Sequence, residues 1–392
     1  MTEGEEATND CCQWVGVECN KHARVVSIYL SEGDLVGKLS PSLLNLSYLT
    51  DLELSENYFY GFIPTFINGS MTRLKHLDLS YNSFHGAIPK FIGSMTRLKH
   101  LDLGDNNFTG TIPPVLGNLT NLEELSLRNL KRCTVENLDW LSQLLHIERL
   151  DMYGSRLTGS FSNDIHKFSS LKNLDLSNNQ LNGTIGEKLG PIFPKWIQAL
   201  KSLSSIDLAN NNISDTIPNE FWNMWPSQLT YLNLSSNTIT GFVTNLSSNF
   251  DNDYVDIDLS SNNFYGPMSN VSFSLTSLDL SRNKFHDEIS FLCQIVDGYI
   301  TLIDLSRNLF TGRIPNCLYH FKNLQILNLG HNILSGRLPA SIQHLINLKS
   351  FEPARYIGNG GLCGLPLPKY CPEVPPVIDE IEDDGEDKDD IL

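Results

Sequence analysis

No run in this 392-residue chain approaches the roughly 18 consecutive apolar residues of a membrane-spanning helix. Basic residues are scarce too. The 28 Lys and Arg against 45 Asp and Glu give a formal charge of −17, which excludes a nucleic-acid binder that relies on a basic face. Catalytic signatures are missing: neither H-E-x-x-H, nor G-x-x-x-x-G-K-S/T, nor the kinase motifs occur. The eight cysteines contain no paired C-x-x-C spacing, which argues against a zinc site. The opening MTEGEEATND is acidic and polar, unlike a secretory signal. Apolar residues, at 41%, are plentiful enough for a core and rule out wholesale disorder.

The negative charge is unevenly spread. Glu373 to Leu392 carries ten acidic residues and one lysine, a net of −9, which leaves −8 for the 372 residues before it. This Pro- and Asp-rich stretch, 373–392, cannot bury apolar surface and is expected to be a disordered tail.

What the chain does have is a repeat. Gly69 to Leu79, GSMTRLKHLDL, recurs unchanged at Gly93 to Leu103, 24 residues later. Around it runs the frame L-x-x-L-x-L-x-x-N-x-L/F-x-G-x-I-P. Its second leucine falls at Ile28, Leu52, Leu77, Leu101, Leu125, Leu150, Leu174, Ile206, Leu232, Ile257, Leu278, Ile303 and Leu327, with a partial copy at Phe351. This is the pattern of a leucine-rich repeat solenoid. The L-x-L alternation predicts a short strand with one buried face, and stacked strands predict a parallel sheet on the concave side of a horseshoe.

Asparagine falls five residues after the anchor at Asn57, Asn82, Asn106, Asn179, Asn211, Asn237, Asn262, Asn283, Asn308 and Asn332. A buried carboxamide there can satisfy backbone groups that the strand no longer pairs, so a ladder of asparagines is expected. Gly33, Leu130, Ser155 and Tyr356 take the slot in degenerate repeats. The frame is irregular over 182–202, where eight residues are added between Leu174 and Ile206, and over 257–278, where three are missing. Both are read as tolerated irregularities of an array.

The G-x-I-P element, as in Gly61-Phe62-Ile63-Pro64 and Gly312-Arg313-Ile314-Pro315, resembles the plant-specific subtype of the repeat. That resemblance implies an α/β repeat fold: a right-handed superhelical horseshoe with a parallel concave sheet and a second small sheet. At the front, Cys11-Cys12-Gln13-Trp14-Val15-Gly16-Val17-Glu18-Cys19 resembles the cap of plant leucine-rich repeat receptors and inhibitors. By that resemblance Cys12 pairs with Cys19, and Cys11 is left without its upstream partner. At the back, Gly358 to Leu367 followed by Cys371 resembles the rear cap, with Cys363 paired to Cys371. Cys293 and Cys317 lie one repeat apart at nearly the same place in the frame, which suggests a third bridge; Cys133 has no evident partner. The expected organisation is a partial N-terminal cap over 1–24, about thirteen repeats over 25–351, a C-terminal cap over 352–372 and the tail.

Asn137-Leu138-Asp139-Trp140-Leu141-Ser142 and Ile217 to Trp222 resemble plant receptor-like proteins of the disease-resistance type, as does the cap followed by an acidic run. The resemblance implies a truncated ectodomain of a kinase-lacking cell-surface receptor. Such a receptor perceives ligands at the extracellular face of the plasma membrane or in the apoplast, in defence or development, and signals through a partner receptor kinase. Family members have more repeats and a membrane helix after the acidic run. A soluble inhibitor of a cell-wall hydrolase, similar to polygalacturonase inhibitors, and a non-functional receptor fragment are the alternatives.

Thirteen strands about 4.8 Å apart predict a concave arc of roughly 60 Å, suited to a peptide, glycan or protein, with no cofactor and no catalysis. Its candidate contacts are Asp51, Glu53, Glu56, His76, Tyr81, His100, Asp105, Glu124, Arg128, Arg149 and Tyr153 in the first half. Near the end they are Arg282, Arg307, Leu302 and Ile326, where a co-receptor kinase would also approach. A column of aspartates directly after the anchors is read as part of the repeat rather than as a glycosidase or calcium site. N-glycosylation sequons stand at Asn45, Asn68, Asn107, Asn118, Asn182, Asn212, Asn233, Asn245 and Asn270.

Overall fold

The computed structural model describes residues 10–65, 67, 71–135, 137–159, 167–183, 200–217, 222, 228–243, 246, 254–268, 271, 275–295, 299–349, 356–365, 367 and 369–371. The expected anchors are the middle of the fold. All thirteen full anchors, from Ile28 to Leu327, lie in strands of one 14-stranded sheet, each paired in register with the anchor before and after it. Twelve of these strands add in parallel to Val25–Tyr29, and the fourteenth, Val17–Cys19, closes the front edge antiparallel to it. The added residues between Leu174 and Ile206 leave the pairing intact, because those two anchors still face each other. Their own stretch, 184–199, lies outside the described residues.

Burial explains the period. From Leu52 to Leu327 the anchors are at most 2% exposed, and the apolar residue seven positions on closes the coil beneath them, except after Leu125, where Arg132 is exposed and Cys133 is buried instead. Phe264, Phe285 and Phe310 stack there with ring centroids 6.2 and 6.1 Å apart. Each coil therefore buries its apolar face only against its neighbours. Short two- to five-residue strands such as Tyr58–Gly61 and Ser83–Gly86 form a second set of small parallel sheets. Gly86 shows why glycine is needed there: its φ is +85°, and a Cβ would overlap the Phe62 ring of the preceding coil. Short 3₁₀ helices such as Pro41–Asn45, Lys90–Ser94 and Asn316–His320 line the opposite side.

The asparagine ladder is present, and each carboxamide ties two coils together. Asn57 Oδ1 accepts from the N–H groups of Gly33 (3.1 Å) and Leu35 (2.8 Å), and its Nδ2 donates to the carbonyls of Leu30, Leu54 and Ser55. Ser155 fills its degenerate slot by donating to the Leu127 carbonyl and accepting from Leu130 N–H. One expectation is corrected. Tyr356 does not stand in the asparagine slot; it is a core residue, 1% exposed, and Asn359 continues the ladder by accepting from Leu334 N–H (3.0 Å). Asn359 also donates to Leu329 and Tyr356 carbonyls, as Asn332 does to Leu305 and Leu329.

Disulfides join Cys12 to Cys19, Cys293 to Cys317 and Cys363 to Cys371. Cys11 and Cys133 are free. Burial pushes the Cys133 thiol up to about 11, so it is inert rather than nucleophilic. Among the described residues no helix is long and apolar enough to cross a membrane.

Candidate ligand-binding surface

Register turns a sequence period into a column of side chains. The residues just before the anchors, Asp51, His76, His100, Glu124 and Arg149, are direct neighbours across five strands. The 24-residue duplication puts the two histidines side by side: their rings stack at 3.8 Å, 2° from parallel. Around them the charges alternate. His76 Nδ1 is 3.6 Å from Asp51, His100 Nδ1 is 2.9 Å from Glu124, and Arg149 is 2.9 Å from the other Glu124 oxygen. Burial first, then the neighbouring His100, lowers His76 below its ordinary value; Asp51, Glu124 and Glu53 oppose this.

A second column, Glu53, Asp78, Asp102, Ser126 and Asp151, follows the anchors. Arg128 crosses this surface from the turn, 3.3 Å from Asp105 and 3.4 Å from Asp151, with its guanidinium 5.3 Å from the Tyr153 ring centroid. Burial and Asp105 raise the Tyr81 hydroxyl. Glu53, His76, Tyr81, His100, Glu124, Arg128 and Arg149 line one open concavity of about 380 Å³ together with Asp78, Asp102 and Asp151. Asp51, Asp105 and Tyr153 border it through the contacts above. Glu56, Tyr81 and Asp105 occupy left-handed turns, with φ of 53°, 49° and 50°, that lift their side chains off the strand ends.

The aspartate column has a structural task. Each Oδ1 of Asp78, Asp102, Asp151, Asp175, Asp207, Asp258, Asp279 and Asp304 accepts the N–H two residues on, at 2.8 to 3.0 Å. Stacked at strand spacing and largely buried, four of them, Asp102, Asp151, Asp207 and Asp279, resist ionisation. Burial, reinforced by Asp78 and Asp151, pushes Asp102 up to about 6; burial, reinforced by Asp258 and Asp304, does the same for Asp279. Asp151 and Asp207 are raised from the same cause.

A group whose folded pKa lies above its unfolded value takes up protons in the folded chain first, so folding gains stability as pH falls from 7 toward 4. His76, lowered in the fold, works against this below about 6.5. The carboxylates outnumber it. Between pH 7.5 and pH 5 the chain should gain roughly 2 kcal/mol after allowance for solvent screening, seen as a rise in calorimetric midpoint. A midpoint that falls over that interval contradicts this.

The structure keeps the C-terminal candidates apart from the first group. Arg282 and Arg307 sit on adjacent coils in left-handed turns, φ 55° and 56°, exposed and without an ion-pair partner among the described residues. Leu302 and Ile326 pair directly and are half-buried. Between the two groups lies a polar cluster that the sequence reading passed over. Tyr231 donates its hydroxyl to Asp207 at 3.1 Å, Asn233 donates to the same oxygen at 3.1 Å, and burial raises Tyr231 to about 12. Its signal was there: Tyr231 holds the pre-anchor position of His76.

Asn233 thus spends its carboxamide within the concave face. The sequon side chains of Asn45, Asn107, Asn118, Asn182 and Asn212 are exposed, and those of Asn68, Asn245 and Asn270 lie outside the described residues. Among the described residues three potential metal ligands meet only at Asp10, Cys11 and Cys12, where the Cys12 sulfur is committed to its disulfide.

A family model described as "leucine-rich repeat region" matches residues 14–240, and further leucine-rich repeat models match 271–289 and 323–345. Receptor-like protein EIX2 of Solanum lycopersicum is 37% identical over 140 residues, 36% of this chain and 14% of that protein. Among solved structures, the plant peptide hormone receptor RGFR1 in complex with RGF2 superposes with a TM-score of 0.72 at 27% identity, covering 90% of this chain and 57% of that one. The ectodomain of the Arabidopsis thaliana receptor kinase GASSHO1/SCHENGEN3, in complex with CASPARIAN STRIP INTEGRITY FACTOR 2, gives 0.70 at 30% identity, covering 86% and 42%. The matched span is less than two thirds of each relative's length.

Proposed function

This chain belongs to the leucine-rich repeat family, and from that premise we propose that it is the extracellular ligand-binding part of a plant receptor-like protein, with the concave sheet as its binding surface. The observation that carries the reading is the in-register pairing of thirteen anchors, which sets a continuous row of outward side chains along one sheet. Such a row suits an extended peptide, whose own side chains repeat at a comparable spacing. The concavity around His76 and His100 supplies charged partners, and Leu302 with Ile326 supplies apolar contact. One solved neighbour of the same fold is a plant peptide hormone receptor in complex with RGF2, which supports a peptide over a glycan. The coils around Arg282 and Arg307 are the proposed approach for a co-receptor kinase. The place of action would be the outer face of the plasma membrane or the apoplast, in defence or development, and the role is binding without catalysis.

The test is calorimetry of the chain against a panel of synthetic plant peptide hormones, RGF2 among them. At least one peptide should bind, and Arg149→Glu should weaken it about tenfold or more by setting a second carboxylate beside Glu124. Binding that ignores Arg149→Glu and Arg307→Glu alike, or inhibition of a cell-wall hydrolase with no peptide bound, would sink the reading.

A further inference from the structure

Basic residues are few in this chain, yet several stand in one row. Arg24, Arg73 and Arg97 lie four residues before their anchors, and Lys75 and Lys99 lie two before. The 24-residue duplication that copies His76 into His100 also copies Arg73 into Arg97 and Lys75 into Lys99. Their place is the edge where the concave strands begin: Arg24, Lys75 and Lys99 directly precede Val25–Tyr29, His76–Asp78 and His100–Asp102. Backbone bonds hold the copies one coil apart, with Lys75 N–H donating to the Thr50 carbonyl at 2.7 Å and Lys99 N–H to the Lys75 carbonyl at 2.8 Å. All five side chains are exposed.

Tyr48, four residues before Leu52, takes the arginine position on the second coil. The Arg24 guanidinium, from the coil before, sits 4.4 Å from its ring centroid, and the Arg73 guanidinium, from the coil after, sits 4.5 Å from it. Cation–π contact holds both cations in line without neutralising either. No side-chain hydrogen bond or ion pair engages Arg24, Arg73, Lys75 or Arg97 among the described residues. Lys99 is the exception: Glu123, which takes the lysine position on the next coil, pairs with it and ends the row. None of the row lines the concavity around His76 and His100, so this is a second surface.

We propose that this row binds a linear acidic polysaccharide carrying a carboxylate on each sugar. Four uncompensated cations spread over roughly 15 Å reverse the local charge of a chain that is net −17. They recur at the coil spacing, which is of the same order as the length of one pyranose, so successive carboxylates of a polyuronate meet successive coils. Both faces of Tyr48 are taken by guanidiniums. The row therefore offers neither the open aromatic face on which a nucleic acid would stack its bases nor the apolar anchor of a protein hot spot. Each exposed ion pair is weak alone, and a polymer gains by holding several at once. The site stands whether or not the concavity takes a peptide.

The experiment titrates the full chain with oligogalacturonate long enough to span the row, in EDTA so that calcium does not gel the probe. At about 50 mM salt it should bind, and Arg73→Gln/Arg97→Gln should weaken binding about tenfold or more. Raising the salt to about 500 mM should abolish binding, and the fully methyl-esterified oligomer should not bind at either salt. The Arg313→Gln/Arg337→Gln pair, which removes the same charge from exposed arginines on other coils, should bind as the unsubstituted chain does. An unchanged unfolding midpoint in both pairs shows that the array is intact. No binding, equal weakening by the two arginine pairs, or equal affinity for the methyl ester would overturn the proposal. So would a chain that ignores oligogalacturonate and binds phosphatidylserine vesicles, because the row would then face a membrane.

Discussion

Asn308→Ala should lower the stability of the chain by about 3 kcal/mol. Asn308 is 5% exposed and spends its whole carboxamide on backbone. Oδ1 accepts from Phe285 N–H at 3.0 Å, and Nδ2 donates to the carbonyls of Leu280 (2.9 Å), Leu305 (3.2 Å) and Ser306 (3.3 Å). Alanine removes all four bonds and orphans the buried Phe285 N–H, at roughly 1 to 3 kcal/mol, while the carbonyls of Leu280, Leu305 and Ser306 each lose one of two donors and keep Asn283, Asn332 and the Arg282 N–H. The loss should be local, since coils contact only their neighbours. Hydrogen exchange should therefore quicken for the strands Leu275–Asp279, Leu302–Asp304 and Ile326–Asn328 and stay unchanged around Asp51–Glu53. A loss under about 1 kcal/mol would mean that the ladder is not what couples the coils.

Removing the Cys293–Cys317 bridge with a serine pair should cost about 3 kcal/mol, the value expected for closing a loop of 24 residues in the unfolded chain. The bridge joins the 3₁₀ helices Ile289–Gln294 and Asn316–His320, on the side of the same coils whose opposite edge holds Asn308. The two perturbations share their coils, so they should not add. A double-mutant cycle in urea should show a coupling of about 1 kcal/mol or more between Asn308→Ala and the serine pair. Simple additivity would place the bridge outside the cooperative unit that the ladder holds together.

Most of the fold was legible because one residue type does one job at each frame position. An anchor leucine is buried between identical neighbours, and an asparagine five positions on meets the same backbone groups each time. The frame failed where its spacing changed. Three extra residues before the last ladder position made Tyr356 look like the slot, although Tyr356 precedes Asn359 as Leu329 precedes Asn332.

In the candidate site, the neighbourhood of His76 and His100 followed from the 24-residue duplication. Their ring stacking, and the link from Arg128 to both Asp105 and Asp151, depended on rotamers that no spacing records. The raised carboxylates of Asp102 and Asp279 arise from burial and from carboxylates one coil away, so they needed the stack itself.

The most direct test of concave binding is hydrogen exchange of the full chain with and without whichever hormone peptide of the calorimetric panel it takes up. Slower exchange should appear along Asp51–Glu53, His76–Asp78, His100–Asp102, Glu124–Ser126 and Leu302–Asp304 and in the turns after them, with the side strands Tyr58–Gly61 and Ser83–Gly86 unaffected. Protection confined to the side strands or to the 3₁₀ helices of the opposite face would contradict it.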